Sequence, residues 1–390
     1  MDAPQAKTPH VSSTARLLPF YLGGFLGPFG TLVILPMLPE LRDQFTVSST
    51  VISWGLSAYL LPMAALLLVS GTIGERFGRT LVVRVALGAY VMASIGAALA
   101  PTIEVFLAAR AAQGMTNAFF TPLLLAGIAA ITPPDRLGRR IGIYTAFQGV
   151  GGGMAPFAGG LAAAIDWRWA FWATAVVTLG VAFFVPAEAR TDAQHPPKLR
   201  SLLDRRLIVL GVGAFFAAAG PLGAAILVGL KARDSLDTSP GTAGFVLAGG
   251  GFGAAALAPW FGRLLDRFGA RRCGVWAVAV VSVTVSLLGL TQTTISTAVV
   301  FLIGGSLSSF IVIVIQRIGT SVLAANAGGG LSALLSFRFV GHAIGPLVWV
   351  PVLERSEVTA FVGSGLLGLV TIVALLVALP RGTTQMVARD

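Results

Sequence analysis

Gly71-Thr-Ile-Gly-Glu-Arg-Phe-Gly-Arg79 returns, with substitutions, as Gly262-Arg-Leu-Leu-Asp-Arg-Phe-Gly-Ala270, 191 residues further along a chain of 390. A second pair repeats at nearly the same distance. Phe147-Gln-Gly-Val-Gly151 with Ala155-Pro156 matches Phe337-Arg-Phe-Val-Gly341 with Gly345-Pro346, 190 residues apart. Two independent matches at one spacing divide the chain into similar halves, 1 to 186 and 207 to 390, joined by a polar segment from 187 to 206.

Each copy of the first stretch follows a long apolar run, and the whole chain has that character. It is 55% hydrophobic and 11% charged, with mean hydropathy +0.85, against about 25% charged for a soluble domain. Crossing about 30 Å of hydrocarbon takes roughly 20 apolar residues. Twelve such runs are found, at 17–38, 50–72, 81–100, 104–131, 141–164, 168–186, 207–230, 242–262, 273–291, 296–322, 329–353 and 358–380. The expected fold is an all-α membrane protein of twelve transmembrane helices in two pseudo-symmetric six-helix bundles. The first run is long and has no small-residue cleavage site after it, so it reads as a retained helix and not a signal peptide. The single cysteine, Cys273, excludes an internal disulfide and a cysteine-cluster metal site.

A net charge of +11 raises the question of nucleic acid, and the positions of the charges answer it. With the amino terminus inside, 20 of the 27 basic residues fall in inner segments and 5 in outer loops, leaving Arg110 and Arg338 within spans. The asymmetry expresses membrane topology, with both termini cytoplasmic, and no nucleic acid is expected as a partner. The Arg-, Ala- and Gly-rich composition suggests a bacterial source, hence the cytoplasmic (inner) membrane, with lipids as partners and the monomer as the expected working unit.

The repeated stretch has the chemistry of a gate. Gly71 lets helices approach closely, and Gly78 permits the tight turn between spans 2 and 3. Glu75 and Asp266 each stand beside an arginine, Arg76 and Arg267, at a helix end, where a carboxylate meets either an arginine or the positive end of another helix. Glu75 is expected to reach the start of span 11, near Gly328 to Gly330. The alternative is a cluster that only sets topology.

These residues resemble the major facilitator superfamily. Gly71, Glu75, Arg76, Gly78 and Arg79 match its loop 2–3 signature, with Glu75 in the usual Asp place and Thr80 where a basic residue is common. Arg110, Gln113 and Gly114 match its span 4 motif. Gly142, Gly151, Ala155, Pro156, Gly159 and Gly160 match a span 5 pattern associated in that family with exporting antiporters, Ala155 replacing one Gly. Trp167-Arg-Trp-Ala-Phe171 is similar to the outer connection between spans 5 and 6 of its drug:proton antiporters. The resemblance covers all twelve spans and implies a transporter of small molecules that works by alternating access between its halves.

Helical spacing nominates the lining of the path. Arg110, Gln113, Asn117 and Thr121 share one face of span 4, and Tyr144, Gln148, Gly151 and Ala155 one face of span 5. Gly305, Ser309 and Gln316 align in span 10, Arg338 and His342 in span 11. Polar stripes in lipid face the bundle interior. Tyr21, Phe25 and Phe29 form an aromatic stripe in span 1, suited either to an apolar cargo or to helix packing. Arginine at a helix centre costs on the order of 2.5–3.5 kcal/mol, so each buried one needs a reason. Arg110 has two: backbone carbonyls of its neighbours, or a part in a proton step. Arg338 lies nearer mid-membrane, at the position matching Gln148, and reads as functional.

All 16 carboxylates fall in loops or at span ends. Many proton-coupled exporters of the family carry an embedded acid that pairs with cationic cargo. Its absence, with Arg338 present, turns the expectation towards neutral or anionic molecules. His342 is then the only mid-span side chain that titrates near neutrality. Export by proton antiport leads. Uptake of an organic anion, a lipid flippase and a non-transporting receptor remain as alternatives. No cofactor and no metal are expected. An enzyme is not expected either, because no nucleophile–base pair or metal-ligand pair is present, and no Gly-x4-Gly-Lys-Ser/Thr loop for ATP occurs.

Overall fold

A computed structural model describes residues 13–132, 134–184, 204–322 and 327–379. All regular structure among them is helical, as lipid requires, because a helix satisfies its own N–H and C=O groups where no water can. The order is α1 (Ser13–Leu32), α2 (Leu38–Phe45), α3 (Ser49–Phe77), α4 (Arg79–Ala98), α5 (Ile103–Ile131), α6 (Pro134–Ala163) and α7 (Arg168–Phe184), then α8 (Arg205–Ala219), α9 (Ala225–Leu230), α10 (Pro240–Leu288), α11 (Thr294–Val322), α12 (Ala327–Leu353), α13 (Glu357–Leu366) and α14 (Gly368–Ala378). Eight helical stretches among the described residues are long and apolar enough to cross a membrane. One of them, α10, contains expected spans 8 and 9, and α5, α6 and α7 occupy spans 4, 5 and 6, so each of the twelve runs has its helix. Local chemistry starts several of them. Ser48, Asp204, Ser239 and Ser356 each accept a hydrogen bond from a backbone N–H of the helix that follows.

The two copies of the repeated stretch make the same turn. Gly78 has φ +89° and Gly269 has φ +78°, a region open to glycine and costly for side chains. At Gly78 the turn separates α3 from α4, and at Gly269, with non-helical φ +78° and ψ 158°, it separates the two helices that make up α10. The helix pairings repeat as well. In span numbers, 1 packs on 5, 2 on 4 and 3 on 6, and likewise 7 on 11, 8 on 10 and 9 on 12. Across the halves the extensive contacts are α6 on α10 and α3 on α12, spans 5 with 8 and 2 with 11. The linker expected at 187–206 lies outside the described residues as far as 203.

Three expectations of unbroken spans are corrected. Span 1 is interrupted at 33–37, where Pro36 lacks an N–H and a short 3₁₀ turn, Leu35–Met37, joins α1 to α2. Span 7 is interrupted at the matching place by Gly220 and Pro221, with a 3₁₀ turn over Pro221–Ala224. Span 12 divides at Leu367, between α13 and α14. A lipid-embedded helix tolerates such breaks only when neighbours take up the freed groups. Trp349 Nε1 does so for span 7, donating to the Ala219 carbonyl at 2.8 Å.

Candidate functional site

Span 4 supplies the most buried polar groups of the described chain. Arg110 and Gln113 are 0% exposed and Asn117 1%, where an unpaired donor is costly, and of the Arg110 donors Nη2 is left without a partner among the described residues. Arg110 donates from Nε to the Gly55 carbonyl at 3.1 Å and from Nη1 to the Gly30 carbonyl at 2.9 Å and Gln113 Oε1 at 2.7 Å. Its guanidinium lies 4.5 Å from the ring centroid of Tyr59. Gln113 in turn donates to Ser94 Oγ. The stripe therefore ties α1, α3 and α4 to α5, using carbonyls near the interruption of span 1. Asn117 donates to Tyr59 Oη at 2.9 Å and accepts from Thr121. Gly114 completes the motif, since a Cβ there would strike the Tyr59 carbonyl. Of the two roles open to Arg110, this geometry builds the backbone one.

Span 5 behaves similarly. Tyr144 is 1% exposed, donates to the Thr121 carbonyl at 2.7 Å and lies flat where a Cβ on Gly24 would sit. Gly151 and Gly159 receive the Phe25 and Val33 carbonyls of span 1, and Ala155 is 0% exposed. The face carrying Tyr144, Gly151 and Ala155 thus packs on α1, while Gln148 remains half-buried. Tyr21 stacks on Phe147 at 5.6 Å and Phe25 on Phe29 at 5.1 Å.

The adjoining face of α6 makes the seam with the second half. Gly160 sits against Pro240 and Gly244, Pro156 presents its carbonyl to Gly244, and Gly153 lies on Gly251. The seam joins the ends of α6 and α10 farthest from the repeated stretch. At that same end Ser57 donates to the Ala343 carbonyl at 2.6 Å, and Gly229 meets the Leu35 carbonyl. Two ion pairs, Arg233 with Glu40 and Arg42 with Asp234, also cross there. The molecule is closed at this end.

The end that carries the repeated stretch is different. A Cβ on Gly71, Gly78, Gly142, Gly149, Gly262 or Gly269 would meet nothing within 4 Å. The close approach expected at Gly71 is therefore corrected. It is made instead one turn away at Gly74, where a Cβ would meet the Leu123 side chain. Arg76, Asp266 and Arg267 are exposed, Arg79 is half-buried, and Arg76 and Arg267 lie over the rings of Phe77 and Phe268. Glu75 is placed on α3 by its backbone, and its side chain lies outside the described residues.

Arg338 and His342 are half-buried on α12. The His342 ring meets the Arg338 carbonyl through Nδ1 at 3.1 Å. The Arg338 guanidinium lies 4.6 Å from the centroid of Phe339, and its Nε is buried without a hydrogen-bond partner among the described residues. Gln316, half-buried on α11, is already engaged. Sequence reasoning missed Glu40, Arg233 and Asp234 as partners across the halves. The available signal was that a minority of basic residues, Arg42 and Arg233 among them, stand on the outer side beside acids at the ends of spans 1 and 7.

Paired six-helix repeats with interrupted first helices, meeting along spans 2, 5, 8 and 11, are the architecture of a membrane transporter built from two similar halves. A family model described as Major Facilitator Superfamily matches residues 20–230, and the chain belongs to that superfamily of transporters. It is 34% identical over 152 residues to the puromycin resistance protein pur8 of Streptomyces alboniger, covering 38% of this chain and 30% of that one. It is 28% identical over 201 residues to the multidrug resistance protein Stp of Mycobacterium tuberculosis, covering 50% and 37%. The chain thus matches well under half the length of these relatives. Among solved structures, the D-xylose-proton symporter superposes with TM-score 0.78 at 15% identity, over 95% of this chain and 99% of that one. A mutant form of the nucleoside transporter NupG does so with TM-score 0.77 at 12% identity, over 94% and 100%. At these identities the structures establish the fold alone.

Proposed function

We propose that this protein exports small organic molecules, apolar and neutral or anionic, by alternating access coupled to proton antiport across the inner membrane of a bacterium. The observation that carries the reading is the seam between α6 and α10. The residues of the span 5 pattern associated with export, Pro156 and Gly160, are the ones that close one end of the molecule against Gly244. Drug-resistance proteins among the relatives support the same direction. By the charge asymmetry the closed end faces outward, so this is the cargo-accepting, inward-facing form, with both termini in the cytoplasm. A cysteine introduced at Gln292, exposed at the closed end, is expected to react with an impermeant reagent in intact cells, and one at Ala270 to resist it. The reverse pattern would overturn the orientation.

Cargo is held between the halves, with Arg338 supplying charge, Gln148 and Gln316 hydrogen bonds, and Tyr21 and Phe25 apolar surface. His342, one turn from Arg338 on the same helix, is the candidate for the proton step. Arg338 also favours a second reading, uptake of an organic anion. Reconstitution in liposomes with an imposed pH gradient separates the two by the direction of flux across a panel of aromatic anions, neutral compounds and cations. Arg338→Gln is expected to lose at least about tenfold in anion flux, roughly the loss of one charge-assisted contact, with normal expression. His342→Gln removes the imidazole of this site and is expected to flatten the pH dependence. Parental flux and pH response in both variants would move the site away from span 11.

A further inference from the structure

Five residues after α9, Lys231–Ser235, form a π-helical turn in which four side chains are engaged. Lys231, 2% exposed, donates to the Leu288 carbonyl at 2.9 Å and pairs with Glu357 at 2.8 Å. Ser235 donates to the other oxygen of Glu357. These bonds hold the turn to its own half. Arg233 and Asp234 point the other way and bond Glu40 and Arg42 of α2. The turn is thus anchored on one side and latched to the opposite half on the other.

The two latching pairs are unequal. Arg42 and Asp234 are 28% and 37% exposed, and Arg42 is shared with Asp43 and Ser49. Arg233 and Glu40 are only 15% and 22% exposed. Exposed pairs contribute little, whereas breaking a buried one strands a charge. Glu40 uses one carboxylate oxygen for Arg233, and its Oε2 is buried with no partner among the described residues, as is Arg233 Nε. A proton therefore has an oxygen on which to land while the bond to Arg233 is still formed. The charges around Glu40 are Arg233 and Asp234 from the turn and Arg42 and Asp43 from its own helix, with Lys231 and Glu357 next along. The first turn of α3 adds no acid.

We infer that Glu40 is a proton-binding latch: taking up a proton from the outer medium cancels its attraction for Arg233 and lets the outer ends of spans 1 and 7 part. Arg233 keeps its bond to the Thr238 carbonyl, so the freed guanidinium remains on its own half and the gate can close again when the proton leaves. External acid would then favour the outward-open form. The inference rests on the alternating-access reading proposed above, but not on cargo or its direction.

The experiment uses the full-length protein with Cys273→Ala and spin labels at Gln44 and Gln292, exposed positions in the two halves, in liposomes without cargo. The parent is expected to give a short distance at about pH 7.5 and a growing longer component towards about pH 5, the direction of carboxylate titration. Glu40→Gln is expected to show the longer component already at the higher pH and to lose the response to acid, and Glu40→Asp to retain it. A Glu40→Gln protein with the parent's distances and the parent's pH response overturns the inference. So does a response lost in Asp234→Asn and kept in Glu40→Gln, which would transfer the latch to the exposed pair. Because no cargo is present, a failed latch leaves the export proposal standing, and a failed export proposal leaves the latch.

Discussion

Arg110→Ala is expected to cost the protein its fold before it costs transport. The substitution removes the donor to the Gly30 carbonyl, near the end of α1, and to Gln113 Oε1, and takes from the Gly55 carbonyl a second partner beside its helical N–H, all within a region where Arg110 and Gln113 are 0% exposed. Each group left unpaired costs about 1–3 kcal/mol, so the sum is several kcal/mol, comparable to the roughly 3–5 kcal/mol typical of breaking a buried charged contact. Arg110→Lys is expected to fail nearly as badly, because an ammonium cannot present the two separated donors of the guanidinium fork. The measurement is the yield of monodisperse protein after detergent extraction and its thermal melting. A variant that stays folded with a parental melting temperature while transport disappears would assign Arg110 to the proton or cargo step instead.

Gly160→Leu and Gly142→Leu are expected to differ sharply although both glycines belong to the same span 5 pattern. At Gly160 any side chain enters the seam with Pro240 and Gly244, whose Cα lies 3.1 Å from the position of an added Cβ, and backbone cannot rotate away. At Gly142 there is nothing within 4 Å. Overpacking of this kind costs about 1–3 kcal/mol. Because the seam lies between the halves, the cost falls on the form closed at that end. A penalty of this size shifts a two-state equilibrium by about 5–150-fold. Labels at Gln44 and Gln292 should therefore report a longer distance and transport should collapse in Gly160→Leu, while each half remains folded and Gly142→Leu behaves as the parent. Equal behaviour of the two variants would show that the seam does not carry the conformational change.

The division between what was legible and what was not follows the range of the interactions. Spans, halves and the turn at Gly78 are local or periodic properties: a run of apolar residues, a repeat at one spacing, a glycine where φ must be positive. They could be read from the order of residues because lipid leaves a helix as the economical way to satisfy a backbone. Even the break in span 1 had its signal in Pro36, although the run was apolar enough to be read as one helix. Gly269 and the break at Gly220 and Pro221 were equally visible as residue types, but only their matching positions in the folded halves show that they do the same work as Gly78 and Pro36.

The roles of the polar stripes were not legible. Helical spacing puts Arg110, Gln113, Asn117 and Thr121 on one face, and likewise Tyr144, Gln148, Gly151 and Ala155, but spacing says nothing about what that face meets. The structure puts Arg110 against carbonyls of spans 1 and 2, Gln113 against Ser94 of span 3 and Asn117 against Tyr59 of span 2, and it packs Tyr144 and Gly151 on span 1. In the same way, one residue-type pattern in span 5 serves two neighbours, with Gly151 turned to α1, Gly159 to the interruption of span 1 and Gly160 to α10. The latch between Glu40 and Arg233 joins positions 193 residues apart, in segments that sequence reading could only count as outer loops. Composition and periodicity decided that this chain spans a membrane as two similar halves, because those depend on transfer from water and on backbone satisfaction within a single helix. Which polar groups are used up in packing, and which end of the molecule is closed, depend on contacts between helices, and only the tertiary structure decides them.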